Sequence, residues 1–476
     1  MSRTPPFRPA AAGLGILALG LAACDEAPDK PDADEIEVEI LQQDFESTYE
    51  PLPAETVLIE NATILTGTGE RIDEGSVLLS EGEIREVGEE VDAPADAEVV
   101  DGEGRWVTPG LIDTHSHLGV FATPSDWAHS DGNEATSPVT SEVWAEHGVW
   151  PQDPGFIKAL EGGVTSLLVL PGSANIIGGR GVTLKNVPGR TAQDMKFPDA
   201  PATLKMACGE NPKRVYGQGR NQKPSTRMGN KAVLRETFLE AQDYLEQWEE
   251  YEQQKAAGND DAEPPSRNLR NEALAGVLND EVLVQNHCYR ADEMKHRLDI
   301  ADEMGFEIAA FHHATEAYKI ADKLKETDTC AALWSDWWGF KMEAWDGIRE
   351  NMALTDEAGA CTVNHSDDAE DIQRLNQETA KAMAAGNRMG LDIQPEHAIQ
   401  WLTHNAAKSI GIDEYTGTLE PGKQADVVLW DGDPFSVYTR TSKVFIDGAR
   451  IFDREDPTRQ PELDFTLGAF LEGDES

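Results

Sequence analysis

Positive charge is what this sequence has least of. Lys and Arg total 40 against 88 Asp and Glu, a formal net charge of −48. Phosphate backbones are bound by clustered cations, so this balance excludes nucleic acid as a partner. An anionic substrate would need a locally basic pocket set against the global field. Cysteine is sparse as well: Cys24, Cys208, Cys288, Cys330 and Cys361. Four of the five lie far apart with no CxxC pair, so neither a thiolate zinc site nor a disulfide framework is expected. A membrane-spanning run is also missing. The apolar stretch 10–23 has 14 residues, too few for a comfortable span.

That short stretch has another reading. Residues 1–9 carry Arg3 and Arg8 and no acid, and the run ends in Leu21-Ala22-Ala23-Cys24. A basic start, a short apolar segment and small residues at its end describe a secretory leader, residues 1–23. The Leu-Ala-Ala-Cys ending resembles the bacterial lipobox. The resemblance implies lipidation of Cys24, a membrane partner reached through that anchor, and export to the periplasmic face of a Gram-negative envelope. Residues 24–54 are acidic and punctuated by Pro28, Pro31, Pro51 and Pro53, without a sustained apolar period. They are expected to be an unfolded tether.

At 476 residues the chain is expected to hold one large domain and a smaller one. Short β-type runs separated by turn residues fill 55–108, among them Val57-Leu58-Ile59, Ser76-Val77-Leu78-Leu79 and Ile84-Arg85-Glu86-Val87. They return within 415–456, at Val427-Val428-Leu429 and Val444-Phe445-Ile446. One small β-sandwich domain assembled from both chain ends is expected. Between them, over 109–414, apolar runs at 164–170, 181–185, 202–207, 282–285, 307–311, 331–334 and 360–363 alternate with helical stretches. This is the α/β rhythm of a (β/α)8 TIM barrel. Residues 233–270 are charged and Gln-rich and read as a helical surface insertion; 457–476 read as an acidic tail.

The chemistry is concentrated in Pro109-Gly110-Leu111-Ile112-Asp113-Thr114-His115-Ser116-His117. Two histidines two apart on a strand share a face, so both imidazoles can meet one metal ion. Set behind Pro-Gly-Leu-Ile-Asp, this pair resembles the first-strand motif of the amidohydrolase superfamily. Gly417-Thr418-Leu419-Glu420-Pro421-Gly422-Lys423-Gln424-Ala425-Asp426 resembles that family's C-terminal turn and strand. The likeness is nearest to the imidazolonepropionase-like and metal-dependent peptidase-like branch.

The resemblance implies further ligands, in order. His287 follows 282–286, His312 and His313 follow 308–311, and Asp367 follows 361–366. His313 is preferred because His313-Ala314-Thr315-Glu316-Ala317-Tyr318 resembles the sixth-strand pattern. Lys205 stands where a carboxylated lysine would bridge two metals, with Lys185 and Glu210 as rivals. The resemblance thus implies one or two divalent cations, zinc foremost, and a small-molecule or short-peptide substrate. The reaction it implies is hydrolysis of a C–N bond by metal-activated water, with Asp367 as the catalytic base. Tyr289, Arg290 and Arg180 are candidate substrate contacts, and Arg227 is a further one. Ester or lactone hydrolysis, deamination and a catalytically dead binding protein are the alternatives. A homo-oligomer is left open.

Overall fold

The computed structural model describes residues 45–463, so Cys24, the leader, the first part of the tether and the end of the acidic tail lie outside the described residues. Strands β1 (Val57–Leu65), β2 (Arg71–Ser80), β3 (Glu83–Gly88), β4 (Glu98–Asp101) and β5 (Trp106–Pro109) open the chain. The barrel follows with β6 (Leu111–Ser116), β7 (Val164–Val169), β8 (Ile177–Lys185), β9 (Ala202–Ala207), β10 (Val282–Cys288), β11 (Ala310–His313), β12 (Cys330–Leu333) and β13 (Thr362–Asn364). Strands β14 (Val427–Trp430), β15 (Thr441–Ile446) and β16 (Ala449–Asp453) then return to the first domain, where β14 pairs antiparallel with β5. The two ends therefore do build one domain around a shared core that includes Ile59, Ile64, Val77, Val427 and Phe445. Its strands follow one hydrogen-bonded path, β16-β15-β14-β5-β1-β2-β3, with β4 branching from β1, and not two separately bonded sheets.

The barrel sheet runs in order from β6 to β13. Beyond β13 the chain reaches back to the first strand: the Asp367 N–H donates to the His115 carbonyl at 2.9 Å and the Ser366 N–H to Asp113 Oδ1 at 3.1 Å. Helix His404–Ser409 packs against both β6 and β13. Ile112, Leu168, Ala310, Ala332 and Val363 form a buried cluster with Ala406 and Ile410 of that region. One strand departs from the all-parallel expectation. β8 runs antiparallel to both β7 and β9. Only residues 170–176 separate it from β7 and no helix intervenes, and a parallel return needs a longer crossover. Pro109 ends β5 and Leu111 begins β6, so the domain boundary falls on Gly110. A Cβ there would lie 2.0 Å from Thr165 Oγ1, which makes glycine a packing requirement.

Three sequence expectations need correction. The described residues contain two disulfides, Cys208–Cys288 and Cys330–Cys361. Each joins neighbouring barrel strands: Ala207 pairs with His287 and Ala331 with Thr362, so the adjoining cysteines are brought face to face. Sequence separations of 80 and 31 conceal that adjacency. Second, residues 45–54 are not a free tether. The Thr48 N–H donates to the Gln193 carbonyl at 3.1 Å, Ser47 Oγ donates to the Lys196 carbonyl at 2.7 Å, and the Tyr49 hydroxyl donates to Asp447. Third, the stretch 233–270 is only partly an insertion. Helix Arg227–Ala256 buries Val233, Leu234, Phe238 and Ala241 in the main core, with Tyr244 packed on Ala275 of helix Leu269–Leu278, and Phe238 stacks on Phe306 with ring centroids 4.2 Å apart. A charged outer face masks an apolar inner one.

The two domains are clasped by a buried lysine. Lys185, at the end of β8, places Nζ 2.8 Å from Asp447 and 2.9 Å from Gln424 Oε1, with Asp426 at 3.6 Å. Asp426, the final residue of the C-terminal motif, also accepts from Thr416 Oγ1 and the Asp447 N–H. The motif thereby earns a structural reason: it docks the small domain on the barrel.

Candidate active site

Six histidines converge at the end of the barrel strands. His115 comes from β6, His287 from β10, His312 and His313 from β11, while His117 and His365 lie just beyond β6 and β13. All but His117 are fully buried. Such burial penalises the imidazolium. It holds His115, His287, His312 and His313 well below the ordinary histidine range and His365 down to about 3. Neutral imidazole is the form that ligates metal.

Hydrogen bonds set which nitrogen each ring presents. The Gln285 amide NH₂ donates to the Ser409 carbonyl at 2.9 Å, which turns its oxygen toward His312 Nε2 at 2.7 Å. His312 must therefore carry its proton on Nε2, leaving Nδ1 to accept from His115 Nδ1–H at 3.0 Å. The consequence is an unprotonated Nε2 on His115, facing Asp367 Oδ1 at 3.3 Å with Lys205 Nζ at 3.1 Å. His117 reaches the same state independently: Nδ1–H donates to the Leu170 carbonyl at 2.8 Å, and its bare Nε2 faces Asp367 Oδ1 at 3.0 Å. Two neutral nitrogens and a carboxylate, acceptors all, are aimed at one another, an arrangement that calls for a cation. One ligand atom from each of His115, His117 and Asp367 lies within 4.8 Å of the others.

The second half of the cluster fits a metal on different grounds. Both nitrogens of His287 and Nδ1 of His313 are buried without a hydrogen-bond partner among the described residues. His313 Nδ1 stands 3.9 Å from Asp367 Oδ2, and its ring centroid is 4.5 Å from that of His287. His312, with both nitrogens engaged, supports His115, whereas His313 has a nitrogen to offer. Three residues here adopt left-handed backbone, His313 (φ 71°), Ala314 (φ 32°) and Asp367 (φ 58°). Strain of this kind in non-glycine residues gathers where side chains must be aimed against local preference.

Lys205, on β9, is fully buried, its Nζ 3.1 Å from His115 Nε2 and 3.1 Å from the Pro171 carbonyl. Burial pulls its pKa down to about 7. Of its rivals, Lys185 is committed to the interdomain clasp, and Glu210 begins the short helix Glu210–Lys213 beyond Gly209. Asp113 lies beneath the site, accepting from Ser366 N–H, Ser366 Oγ and the His115 N–H. Burial pushes its carboxyl up to about 7 against the pull of those bonds.

The arginines are occupied elsewhere. Arg290 pairs with Asp292 two residues on, at 2.8 Å, on the exposed surface. Arg227 joins Glu293 at 2.7 Å and Glu343. Arg180 is buried with its guanidinium over the Trp144 ring, 4.4 Å from the centroid. Tyr289 does stand at the cluster, its ring stacked on His313 at 5.2 Å. Beside it lie residues that the sequence reading passed over. Trp334 stacks on His313 at 4.2 Å and donates Nε1–H to the Ser366 carbonyl at 3.0 Å. Lys341 sits over the Tyr289 ring with Nζ 4.1 Å from the centroid. His365 accepts the His313 N–H at 3.3 Å. A signal for His365 was present, since it stands two residues before Asp367. Nothing local marks Lys341, which sits on an aromatic-rich loop after β12.

A barrel with histidines on its first, fifth and sixth strands and an aspartate beyond its eighth defines a class of metal-ligating barrel proteins. A model of the amidohydrolase family matches residues 241–453. A solved amidohydrolase from Thermotoga maritima MSB8 is 37% identical, with a TM-score of 0.76 over 84% of this chain and 100% of that one. The amidohydrolase tasK of Hapsidospora irregularis is 34% identical over 400 residues, 80% of this chain and 40% of that protein. This chain thus spans about two fifths of that relative's length. An imidazolonepropionase of Idiomarina loihiensis is 43% identical over 82 residues, 16% of this chain and 18% of its own. The chain belongs to the amidohydrolase family.

Proposed function

We propose that this protein hydrolyses a C–N bond of an amide, peptide or cyclic amide, using one or two divalent cations, zinc foremost. The observation that carries the reading is the set of unprotonated nitrogens on His115 and His117 aimed with Asp367 at one point, beside the unpartnered nitrogens of His287 and His313. His115, His117 and Asp367 would hold one cation, and His287 and His313 a second. A cation bound there supplies Lewis acidity, which polarises a carbonyl and eases the deprotonation of water. Asp367 takes the proton from the attacking water and delivers it to the leaving nitrogen. Burial lowers the Lys205 pKa to about 7 and so raises the neutral fraction of its amine, and a neutral amine can add to CO₂ with loss of a proton. Carboxylated in this way, Lys205 would add an anionic oxygen donor to the residues that could hold the cations.

The two disulfides support export to an oxidising compartment, in keeping with the leader and with lipidation at Cys24. Elemental analysis of the purified protein tests the metal reading. One or two equivalents are expected in the wild type, and where two are bound His287→Ala should retain one or fewer. No bound metal in folded, metal-supplied protein would sink it. Asp367→Asn tests the chemistry: turnover of the best substrate from an acyl-amino-acid and cyclic-amide panel should fall roughly 10²- to 10⁴-fold.

A further inference from the structure

The mouth of the site carries one half-buried cation with no ion-pair partner among the described residues, in a chain whose net charge is −48. Lys341 holds Nζ over the Tyr289 ring and makes a single polar contact, donating to Asn211 Oδ1 at 3.4 Å. Glu210, Glu343 and Asp367 act on it electrostatically, yet none lies within ion-pair distance. Glu343 instead pairs with Arg227. The Lys341 charge acts on His287 and His313, so the ammonium belongs to the half of the site built from the fifth and sixth strands. Arg214, exposed, adds a second positive charge on the same side. Around them runs an aromatic wall. Trp334 stacks on His313, Trp337 stacks on Trp334 at 5.4 Å, and Phe340 meets Trp334 edge-on at 5.8 Å.

A part-buried ammonium loses hydration, and its neighbours return little of it. Here the ring face and one long amide contact leave hydrogen-bonding capacity unused. The arginines at 180, 227 and 290 cannot supply this function in the observed geometry, because their guanidinium groups are engaged at Trp144, at Glu293 and Glu343, and at Asp292.

We propose that Lys341 binds a carboxylate carried by the substrate next to the scissile bond. The substrate class is then an N-acyl amino acid or a short peptide with a free C-terminus, its apolar part lying on the wall of Trp334, Trp337 and Phe340. This inference rests on the C–N hydrolase reading, but its test does not require turnover.

The probes are N-benzoylglycine and its neutral counterpart N-benzoylglycinamide, titrated calorimetrically into the metal-loaded protein. The acid should bind the wild type more tightly than the amide. In Lys341→Met that preference should shrink roughly tenfold, with amide binding little changed, as expected on losing one charge-assisted hydrogen bond. Lys341→Arg should restore most of it. Equal wild-type affinity for the two probes would overturn the proposal, as would an acid preference that survives in Lys341→Met. A preserved preference with no hydrolysis of any amide would instead remove the catalytic reading and leave the carboxylate site standing.

Discussion

Two lysines of this barrel are equally buried and chemically opposite. Lys185 and Lys205 sit on adjacent strands, β8 and β9, and each is fully removed from solvent. Lys185 faces Asp447, Asp426 and Gln424, a set that compensates an ammonium. Lys205 faces an imidazole nitrogen and a carbonyl, and among the described residues no carboxylate pairs with it, Asp367 acting on it only through space. Burial alone therefore says nothing about a lysine's role. What surrounds Nζ decides whether the charge is kept for docking two domains or given up to leave a nucleophilic amine.

Lys185→Met should show the larger effect on stability. It strands Asp426 and Asp447 in the domain interface, and losing one partner of a buried pair typically costs about 3–5 kcal/mol. Metal content should not change. Denaturant titration and elemental analysis of the same sample check both halves; a loss below about 1 kcal/mol would mean the clasp is not compensated as described.

Lys205→Met should invert that pattern. Replacing an uncompensated buried amine with an apolar chain of similar size is expected to leave the metal-free fold at least as stable, while the protein retains fewer metal equivalents. A variant that unfolds yet keeps full metal content when stabilised would exchange the roles assigned to the two lysines.

The last effect is one of pH, read on metal-free protein. The folded pKa of Lys205 is lowered to about 7, against roughly 10.4 for an unfolded lysine. Unfolding therefore takes up a proton between those values. The sign is that wild-type stability declines as pH falls from about 10 to about 7 and loses nothing more from this group below that. Lys205→Met should lack that slope, so its thermal midpoint should gain on the wild type through the same window. Below about pH 6.5 both proteins should weaken together, because the buried histidines 115, 287, 312, 313 and 365 are depressed in the fold and take up protons only on unfolding. Parallel curves from pH 10 to 7 would argue that Lys205 stays charged in the fold.

Much of the site was legible because it is local. His115 and His117 are two residues apart on a strand, and period-two alternation places both rings on one side whatever the rest of the chain does. His287, the pair 312–313 and Asp367 each follow an apolar run, so the end of a strand could be located without knowing its neighbours. The choice between His312 and His313 became physical only when Gln285, from another strand, was seen to occupy His312. The arginines at 180, 227 and 290 show the opposite limit. An arginine is informative only through what its guanidinium meets, and here that is an indole ring or a carboxylate, two of them brought from distant segments.

The sequence by itself determined the strand–helix alternation, the return of the C-terminal strands to the N-terminal domain, and the order of the histidines and aspartate of the candidate site. These follow from periodicity and residue chemistry, which act over a few residues. Tertiary structure alone decided the reversal of β8, the two disulfides, the separate fates of Lys185 and Lys205, the tautomers imposed through Gln285, and the placement of the Lys341 ammonium over Tyr289. Each depends on which strands become neighbours, and distance in space between residues far apart in the chain is set by packing and not by their order.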